Sequence, residues 1–245
     1  MGVVRSGQCL DSTYLNGVNM IFTAIGLSFT VTAMRETSSA LARPYHHGDL
    51  SRALVQAGRR ILEREGPAAL SLRAVAREAG VSPAAPYHHF KDKCDLLDGI
   101  SREGWLELGN AVAQARKESS DPREALSNIG VAYVCFARDN PALYRIMYDA
   151  ACDKETMGDH PKEADSGWRH VREALIDAGA DPNDERELEL ATIGAWCAAH
   201  GVAEMAAFKE FEPLKAALGG EEAFVRAVLE HVGIYARRTK APPHG

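Results

Sequence analysis

The chain has 245 residues, of which 46% are hydrophobic and 25% are charged, and its formal net charge is -6 at pH 7. These values are ordinary for a globular protein and exclude a disordered tail and a membrane bundle. The length fits one large domain or a small domain fused to a larger one. Five cysteines stand singly, without a Cys-x-x-Cys pair, and this pattern predicts a reducing, cytoplasmic location.

The net charge is unevenly distributed along the chain. Residues 35–93 carry ten Lys or Arg against six Asp or Glu, whereas residues 94–245 carry 17 basic against 27 acidic residues. A short basic block on a long acidic body predicts one region that binds a polyanion, attached to a part of the chain that does not.

The first 34 residues are interpreted as a disordered or dispensable extension. Their apolar stretch, residues 18–33, has 16 residues interrupted by Asn, Gly, Ser and Thr, and is too short and too polar for a spanning helix. Arg5 is the one basic residue before this stretch, whereas a signal peptide begins with several positive charges. We therefore expect no membrane association, with Met34 as a candidate initiator and a targeting role as the alternative.

Three helices are predicted after this extension. Asp49 is placed to cap the first helix, which Gly66 and Pro67 end. Its apolar positions keep the spacing of three to four residues; they are Leu50, Leu54, Ala57 and Ile61. Ser71 is placed to cap the second helix, and Gly80 supplies the turn after it.

The third predicted helix begins at Ser82, with Pro83 at its first position and Pro86 tightening its first turn. A short helix, a glycine turn and a further helix have the helix-turn-helix spacing, in which the last helix enters the DNA major groove. Ala84 and Ala85 keep the leading turn slim, and Tyr87 offers a donor to phosphates or bases.

A metal site at the repeated Pro-Tyr-His-His sequence, residues 44–47 and 86–89, is the poorer interpretation. Adjacent histidines on a helix point about 100° apart, so His88 and His89 cannot both face one ion. We therefore predict neither a metal nor a cofactor. The first copy is interpreted as an N-terminal arm in which Arg43 contacts the DNA backbone. An equal alternative is that His46 and His47 only pack against and cap the first helix.

The segment SLRAVAREAGVSPAAPYHHFKDKCDLL, residues 71–97, resembles the DNA-binding domain of the TetR family of bacterial transcriptional regulators. The resemblance implies that Arg73 reaches a base or phosphate and that Tyr87 and Lys93 hold phosphates. It also implies that residues 82–85 line the groove, with His88 and His89 near bases or backbone. The predicted DNA-binding residues are Arg43, Ser71, Arg73, Ser82, Pro83, Ala84, Ala85, Tyr87, His88, His89 and Lys93.

The rest of the chain is predicted to be helical and non-enzymatic. Helices are expected at residues 92–117, 123–139, 165–178, 184–211 and 221–238, with a polar break at residues 151–163. Asp92 is placed to cap the first of these helices, and Asn140 is placed to cap a further short helix. The chain shows no alternating strand pattern, no Gly-rich phosphate loop and no ordering typical of a catalytic triad.

Two late helices are predicted to support a homodimer. The helix at residues 184–211 has a small-residue stripe, comprising Leu188, Ala191, Ala195, Ala199, Val202 and Ala206, and a second stripe of Ile193, Trp196, His200 and Glu204. The TetR resemblance implies that the last two helices of each subunit form an intersubunit four-helix bundle, which the small-residue stripe suits. The sequence WCAAHG, residues 196–201, resembles a C-terminal domain type named for its Trp and His-Gly.

A small apolar effector is the predicted second ligand, because aromatic residues fall on helices around the middle of the second domain. The candidate effector-binding residues are Trp105, Tyr133, Phe136, Tyr144, Met147, Trp168, Trp196 and His200. For His200, pairing with Glu204 one turn away is the structural alternative.

The sequence thus predicts an all-α protein with an extension at residues 1–34, a helix-turn-helix DNA-binding domain at 35–97, and a helical effector-binding and dimerisation domain at 98–245. The predicted function is a homodimeric, ligand-responsive regulator that represses from a palindromic DNA operator. The alternative is a helical ligand-binding or enzymatic protein with a vestigial DNA-binding domain.

Overall fold

The computed structural model describes residues 47–148 and 164–232. The predicted extension, the Arg43 arm and the polar break at 151–163 lie outside these residues. Every regular element in the described ranges is helical, which confirms the all-α prediction. The α-helices are α1 (His47–Glu65), α2 (Leu72–Glu78), α3 (Lys93–Lys117), α4 (Pro122–Asp139), α5 (Pro141–Tyr148), α6 (Ala164–Asp177), α7 (Glu185–Ala206), α8 (Glu212–Leu218) and α9 (Glu221–His231).

Local signals set the first two helices largely as predicted. Gly66 adopts a φ of 80° directly after α1, and Gly80 adopts a φ of 70° after α2. The Ser71 hydroxyl caps α2 by accepting a hydrogen bond from the Ala74 N–H at 3.1 Å. The predicted cap at Asp49 is wrong, because α1 already begins at His47 and Asp49 lies inside it.

The third helix differs from the prediction in type and start. It is a 3-10 helix, Ala85–His88, with Ala84 at its N-cap, rather than an α-helix capped by Ser82. Pro86 lacks the N–H that would bond the Ser82 carbonyl in an α-helix, and that carbonyl instead accepts from the Ala85 N–H at 3.0 Å. Pro86 therefore tightens the turn as expected, and the tightening extends to the whole helix.

Helix α3 is the element against which the others pack, since it contacts α1, α4, α5 and α6. Its N-cap is Asp92, whose carboxylate accepts from the Asp95 N–H at 3.0 Å, as predicted. Gly99, Gly104 and Gly109 stand where neighbours approach α3 most closely. Added Cβ atoms there would meet, respectively, the Phe90 ring at 3.3 Å, the α5 residues Leu143 and Met147, and Ser166 of α6.

The C-terminal helices correct two of the predicted bounds. Helix α7 ends at Ala206, five residues before the predicted Phe211, and an unpredicted helix α8 follows, with Pro213 in its first turn. Gly219 and Gly220, with φ of 97° and 124°, separate α8 from α9. The last helix was predicted to run to residue 238, but its residues after 232, Tyr235 among them, lie outside the described residues.

The small-residue stripe of α7 packs within the subunit, contrary to the expectation that it faces a second subunit. Its residues are buried against helices of the same chain; they are Leu188, Ala191, Ala195, Ala199, Val202 and Ala206. A different face of α7, described below, is left exposed. Asn140 stands directly before α5 as predicted, and its carbonyl accepts from the Tyr144 N–H at 2.8 Å, but its side chain serves α4 instead. The Asn140 side-chain amide donates to the Phe136 carbonyl at 3.0 Å and so closes the end of α4.

The contact between α3 and α6 yields a stability test. Gly109→Ala should lower the unfolding free energy by about 1–3 kcal/mol, because the new methyl group collides with the Ser166 hydroxyl and approaches the Gly167 backbone N at 3.4 Å. Urea unfolding followed by circular dichroism measures the change. Gly109→Ala combined with Ser166→Ala should recover most of the loss. A double variant as unstable as the single one would contradict this account of the contact.

Candidate functional site

The helix-turn-helix presents an exposed surface built by α2 and the 3-10 helix, which contact each other. Tyr87 is 55% exposed, the highest value among the large hydrophobic side chains of this unit. Six further predicted DNA-binding residues are also exposed, namely Ser71, Arg73, Ser82, Pro83, Ala84 and His88. The structure therefore leaves these predicted residues free of the core, as a DNA surface requires.

Other predicted DNA-binding residues have structural contacts of their own. The Lys93 ammonium donates to the Pro67 carbonyl at 2.7 Å and so ties the start of α3 to the turn between α1 and α2. The Ser71 hydroxyl is engaged as the cap of α2, although the residue is exposed. His89 is half-buried beside Phe90, with a ring-centroid distance of 6.5 Å. Ala85 is half-buried.

The cations of this unit divide into paired and unpaired groups. Arg60 and Arg64 bond the Glu78 carboxylate at 3.0 and 3.1 Å, and these hydrogen bonds lower the pKa of Glu78. Within residues 47–148 and 164–232, by contrast, no ion pair involves Arg73 or Arg77. Arg77 was missed in the sequence, although it follows Arg73 by four residues and therefore shares its face of α2.

The predicted effector residues form an aromatic cluster between helices α3 to α7. The Trp105 and Trp196 rings stack at 6.1 Å, Trp168 lies 5.8 Å from Trp196, and Tyr133 lies 5.3 Å from Trp196. Tyr133, Phe136 and Met147 are buried in the core. The structure thus brings most of these residues together by packing them against one another. Tyr148, which the sequence reasoning missed, joins the cluster because it follows Tyr144 by four residues.

Three tyrosine hydroxyls and one histidine form a hydrogen-bonded network inside this cluster. The Tyr133 hydroxyl lies 2.5 Å from that of Tyr148, 3.1 Å from that of Tyr144 and 3.2 Å from His200 Nδ1. The Tyr144 hydroxyl lies 2.6 Å from the same nitrogen, and Trp196 Nε1 donates to Tyr148 at 3.1 Å. His200 therefore bonds tyrosines, rather than Glu204 as the structural alternative had it.

Burial raises the pKa of all three tyrosines above the ordinary value. The pKa of Tyr133 rises furthest, because burial is joined by the nearby Tyr148 and by hydrogen bonds within the network. Burial also raises the pKa of Tyr144. The residue Tyr148 is 37% exposed, but its hydroxyl lies in the network and burial raises its pKa to about 12. All three hydroxyls are therefore protonated at neutral pH.

A cavity of about 660 Å³ opens beside the network, between α4, α5, α7 and α8 and the start of α9. Tyr144, Tyr148 and His200 form one wall. Six charged residues also line it, comprising Arg138, Arg145, Glu204, Glu212, Lys215 and Glu221. Of the predicted effector residues, only Tyr144 and His200 reach this cavity, and its wall is more polar than the sequence predicted.

Arg59 joins the helix-turn-helix unit to the cavity wall. Its side chain is only 15% exposed, and it donates to Glu107 of α3 at 2.5 Å and to the Asn140 side-chain oxygen at 2.6 Å. Burial lowers the pKa of Arg59, but the hydrogen bonds with Glu107 and Glu63 outweigh it and the net pKa is raised. The Asn140 carbonyl accepts from the Tyr144 N–H at 2.8 Å, so Arg59 is held one turn from the cavity.

Residues 47–148 and 164–232 contain neither a metal-binding cluster nor a membrane-spanning helix. No three His, Cys, Asp or Glu side chains there are grouped so that they could hold a metal ion. None of the helices in those ranges is long and apolar enough to span a membrane.

The hydroxyl network predicts a stability loss with a pH signature. Tyr133→Phe should lower the unfolding free energy at pH 7 by about 1–3 kcal/mol, because Tyr148, Tyr144 and His200 lose a partner. A tyrosine whose pKa is raised on folding stabilises the protein below its unfolded pKa of about 10, and this stabilisation is lost as pH rises through the folded value.

Urea unfolding between about pH 9 and pH 12 measures both effects. The wild type should lose stability as pH rises through this window, and Tyr133→Phe should show a shallower loss. The control is Tyr87→Phe, which alters an exposed hydroxyl. Equal slopes for the wild type and Tyr133→Phe would contradict the network assignment.

Comparison with known proteins gives matches over both parts of the chain. Residues 54–100 match the family described as "Bacterial regulatory proteins, tetR family", and residues 126–232 match "Tetracyclin repressor-like, C-terminal domain". The HTH-type transcriptional regulator BetI of Rhizobium meliloti (strain 1021) is 33% identical over 109 residues, which is 43% of this chain and 54% of that relative. The match therefore spans about half the length of this curated relative.

Solved structures agree on the fold. A protein of unknown function from Rhodococcus sp. RHA1 is 30% identical with a TM-score of 0.59, covering 78% of this chain and 96% of its own. FadR from Bacillus subtilis, solved in complex with stearoyl-CoA, is 14% identical with a TM-score of 0.57, covering 74% and 96%, and this likeness shows the fold alone. The N-terminal and C-terminal parts of the chain each match a domain of one family. The chain therefore belongs to the TetR family of bacterial transcriptional regulators.

Proposed function

We propose that the protein is a homodimeric repressor that binds a palindromic DNA operator in the cytoplasm and leaves it when a small effector enters the cavity. The observation that carries this proposal is the exposed surface of the helix-turn-helix, on which Arg73 and Arg77 form no ion pair with any described residue. If this unit had only a structural role, there would be no reason for Arg73, Arg77 and Tyr87 all to be exposed to solvent.

The contacts to DNA are assigned from exposure and charge. Arg73 and Arg77 stand on one face of α2 and supply positive charge toward phosphates. Ser82, Pro83 and Ala84 are small and exposed at the start of the recognition segment, so the backbone there can approach base edges closely. Tyr87 is placed to donate its hydroxyl to a phosphate.

The homodimer interface is assigned to the exposed face of α7. This face is an apolar stripe at three- and four-residue spacing, consisting of Leu190, Ile193, Cys197, Gly201 and Met205. Leu190 and Met205 are 55% and 46% exposed. A continuous apolar stripe of this kind is typical of an interaction surface. Gly201 at its centre has no atom within 4 Å of where a Cβ would lie, so its own subunit does not require glycine there.

Arg59 offers the route from the effector to the DNA. Movement of α5 against α7 would shift Asn140, and with it the Arg59 hydrogen bond that holds α1. Two recognition helices must stand about 34–36 Å apart, or a multiple of it, to enter successive grooves, so a small shift at each is costly. The effector releases DNA only by as much as it prefers the shifted state.

The aromatic residues support an apolar effector less than the sequence analysis suggested. An apolar effector stays a prediction, but most of the predicted aromatic residues pack against each other rather than line the cavity. The charged wall favours an effector with polar groups.

The DNA surface can be tested by substitution. Arg73→Ala should reduce discrimination between operator and random DNA by about 1–3 kcal/mol if Arg73 reads a base. Tyr87→Phe should weaken binding to both kinds of DNA, because it removes a phosphate contact. Fluorescence anisotropy with DNA from upstream of the protein's own gene measures both.

The matched control is Arg123→Ala, which removes an exposed arginine of α4, outside the DNA surface. Lys93 is a poorer probe, since its substitution also removes the bond to Pro67. If the wild type binds no operator, the alternative of a ligand-binding or enzymatic protein with a vestigial DNA-binding domain is favoured. If Arg73→Ala and Tyr87→Phe both bind as the wild type does, the residue assignment is wrong.

The dimer interface can be tested with one added charge. Gly201→Glu should convert the dimer to a folded monomer, because it places a carboxylate at the centre of the apolar stripe and its Cβ has open space within its own subunit. Sedimentation velocity measures the mass, and circular dichroism checks the fold. Gln114→Glu adds the same charge at an exposed position of α3 and should stay dimeric. A dimeric Gly201→Glu would refute this interface.

A further inference from the structure

Four of the six charged residues that line the cavity neutralise one another. The Lys215 ammonium, buried with its side chain 8% exposed, lies 2.8 Å from the Glu212 carboxylate and 3.4 Å from that of Glu221. Arg138 reaches the other oxygen of Glu221 at 3.3 Å. These residues close the side of the cavity formed by α4, α8 and α9, and their charges are already balanced within the protein.

The two remaining charges, Arg145 and Glu204, stand on different helices. Arg145 lies on α5 and Glu204 lies on α7, and both line the cavity. Across the two described ranges, neither of them takes part in an ion pair. The cavity therefore offers a ligand one cation from one wall and one anion from another.

The hydroxyl network limits what else the wall can donate. One assignment uses each proton once: Trp196 donates to Tyr148, Tyr148 to Tyr133, Tyr133 to Tyr144, and Tyr144 to His200 Nδ1. In this assignment the tyrosines have no hydroxyl proton left for a ligand. His200 keeps its Nε2–H as a donor, and the Tyr144 and Tyr148 rings offer faces that attract a cation.

The geometry points to a small dipolar ligand that carries a carboxylate and an ammonium group and bridges α5 and α7. Its carboxylate would pair with Arg145 and accept from His200 Nε2–H, and its ammonium would pair with Glu204 over the tyrosine rings. A ligand with one charge leaves either Arg145 or Glu204 without a partner. This inference rests on the proposed function, since it names the class of effector that would draw α5 toward α7.

Isothermal titration calorimetry on the full chain can test the ligand class with three six-carbon probes. The probes are ε-aminocaproate, which has both charges, hexanoate, which has only the anion, and hexylamine, which has only the cation. β-Alanine and γ-aminobutyrate vary the separation between the charges. The best-fitting amino acid should bind at least about tenfold more tightly than its singly charged analogues.

Two variants assign each charge to its partner. Arg145→Gln should reduce the affinity for the amino acid to that of the amine and leave the affinity for the amine unchanged. Glu204→Gln should reduce the affinity for the amino acid to that of the carboxylate and leave the affinity for the carboxylate unchanged. The matched controls, Arg123→Gln and Glu230→Gln, remove exposed charges outside the cavity. Comparing the loss for each probe separates a specific ion pair from a general change of the cavity.

Three outcomes would overturn the proposed ligand class. These are singly charged probes that bind as tightly as the amino acids, variants that weaken all probes equally, and no saturable binding of any amino acid in the series. Operator affinity measured in parallel separates this inference from the proposed function. A protein that binds its operator and is released by an apolar ligand remains a regulator with a different effector. A protein that binds the amino acids but no DNA is a ligand-binding protein.

Discussion

Close packing along α3 is the constraint on which the rest of the structure depends. Three glycines at five-residue intervals, Gly99, Gly104 and Gly109, face the DNA-binding unit, α5 and α6 in turn. Each lets a neighbour approach the α3 backbone more closely than a side chain would allow. The helix thereby positions the recognition segment at one end and the aromatic cluster toward the other. A displacement of α3 would move both regions, because packed interiors transmit strain.

Arg59 adds a polar link beside this apolar packing. It is mostly buried, and its charge is compensated by Glu107 of α3 and Glu63 of α1, while Asn140 accepts a further hydrogen bond at the turn between α4 and α5. A buried charge that lost one partner would be strongly unfavourable. In the proposed function, this link is the contact that an effector would have to rearrange in order to move the DNA surface.

The aromatic cluster and the cavity divide the work of the C-terminal domain. The tryptophans and tyrosines fill the interior and satisfy their own polar atoms through the hydroxyl network, which gives the cavity a rigid wall. Some of the charged residues that line the cavity form ion pairs. The paired residues hold α4, α8 and α9 together; they are Lys215, Glu212, Glu221 and Arg138. Within the described residues Arg145 and Glu204 have no ion pair, and they are the two charges proposed to bind the ligand. Rigid support behind a few free polar groups is the usual basis of specificity in a small-molecule site.

The sequence by itself determined the features that depend on neighbouring residues. Ser71 and Asp92 as caps, Gly66 and Gly80 as turns, and the apolar spacing of the helices could all be predicted, because each acts within one or two turns of chain. Only the tertiary structure decided that the small-residue stripe of α7 is internal, and that its Leu190 face is exposed. The same holds for the bonds of His200 to Tyr133 and Tyr144 and of Arg59 to Glu107 and Asn140, which join residues 48 to 81 positions apart. Distant pairings depend on how the helices pack, and no local pattern records that geometry.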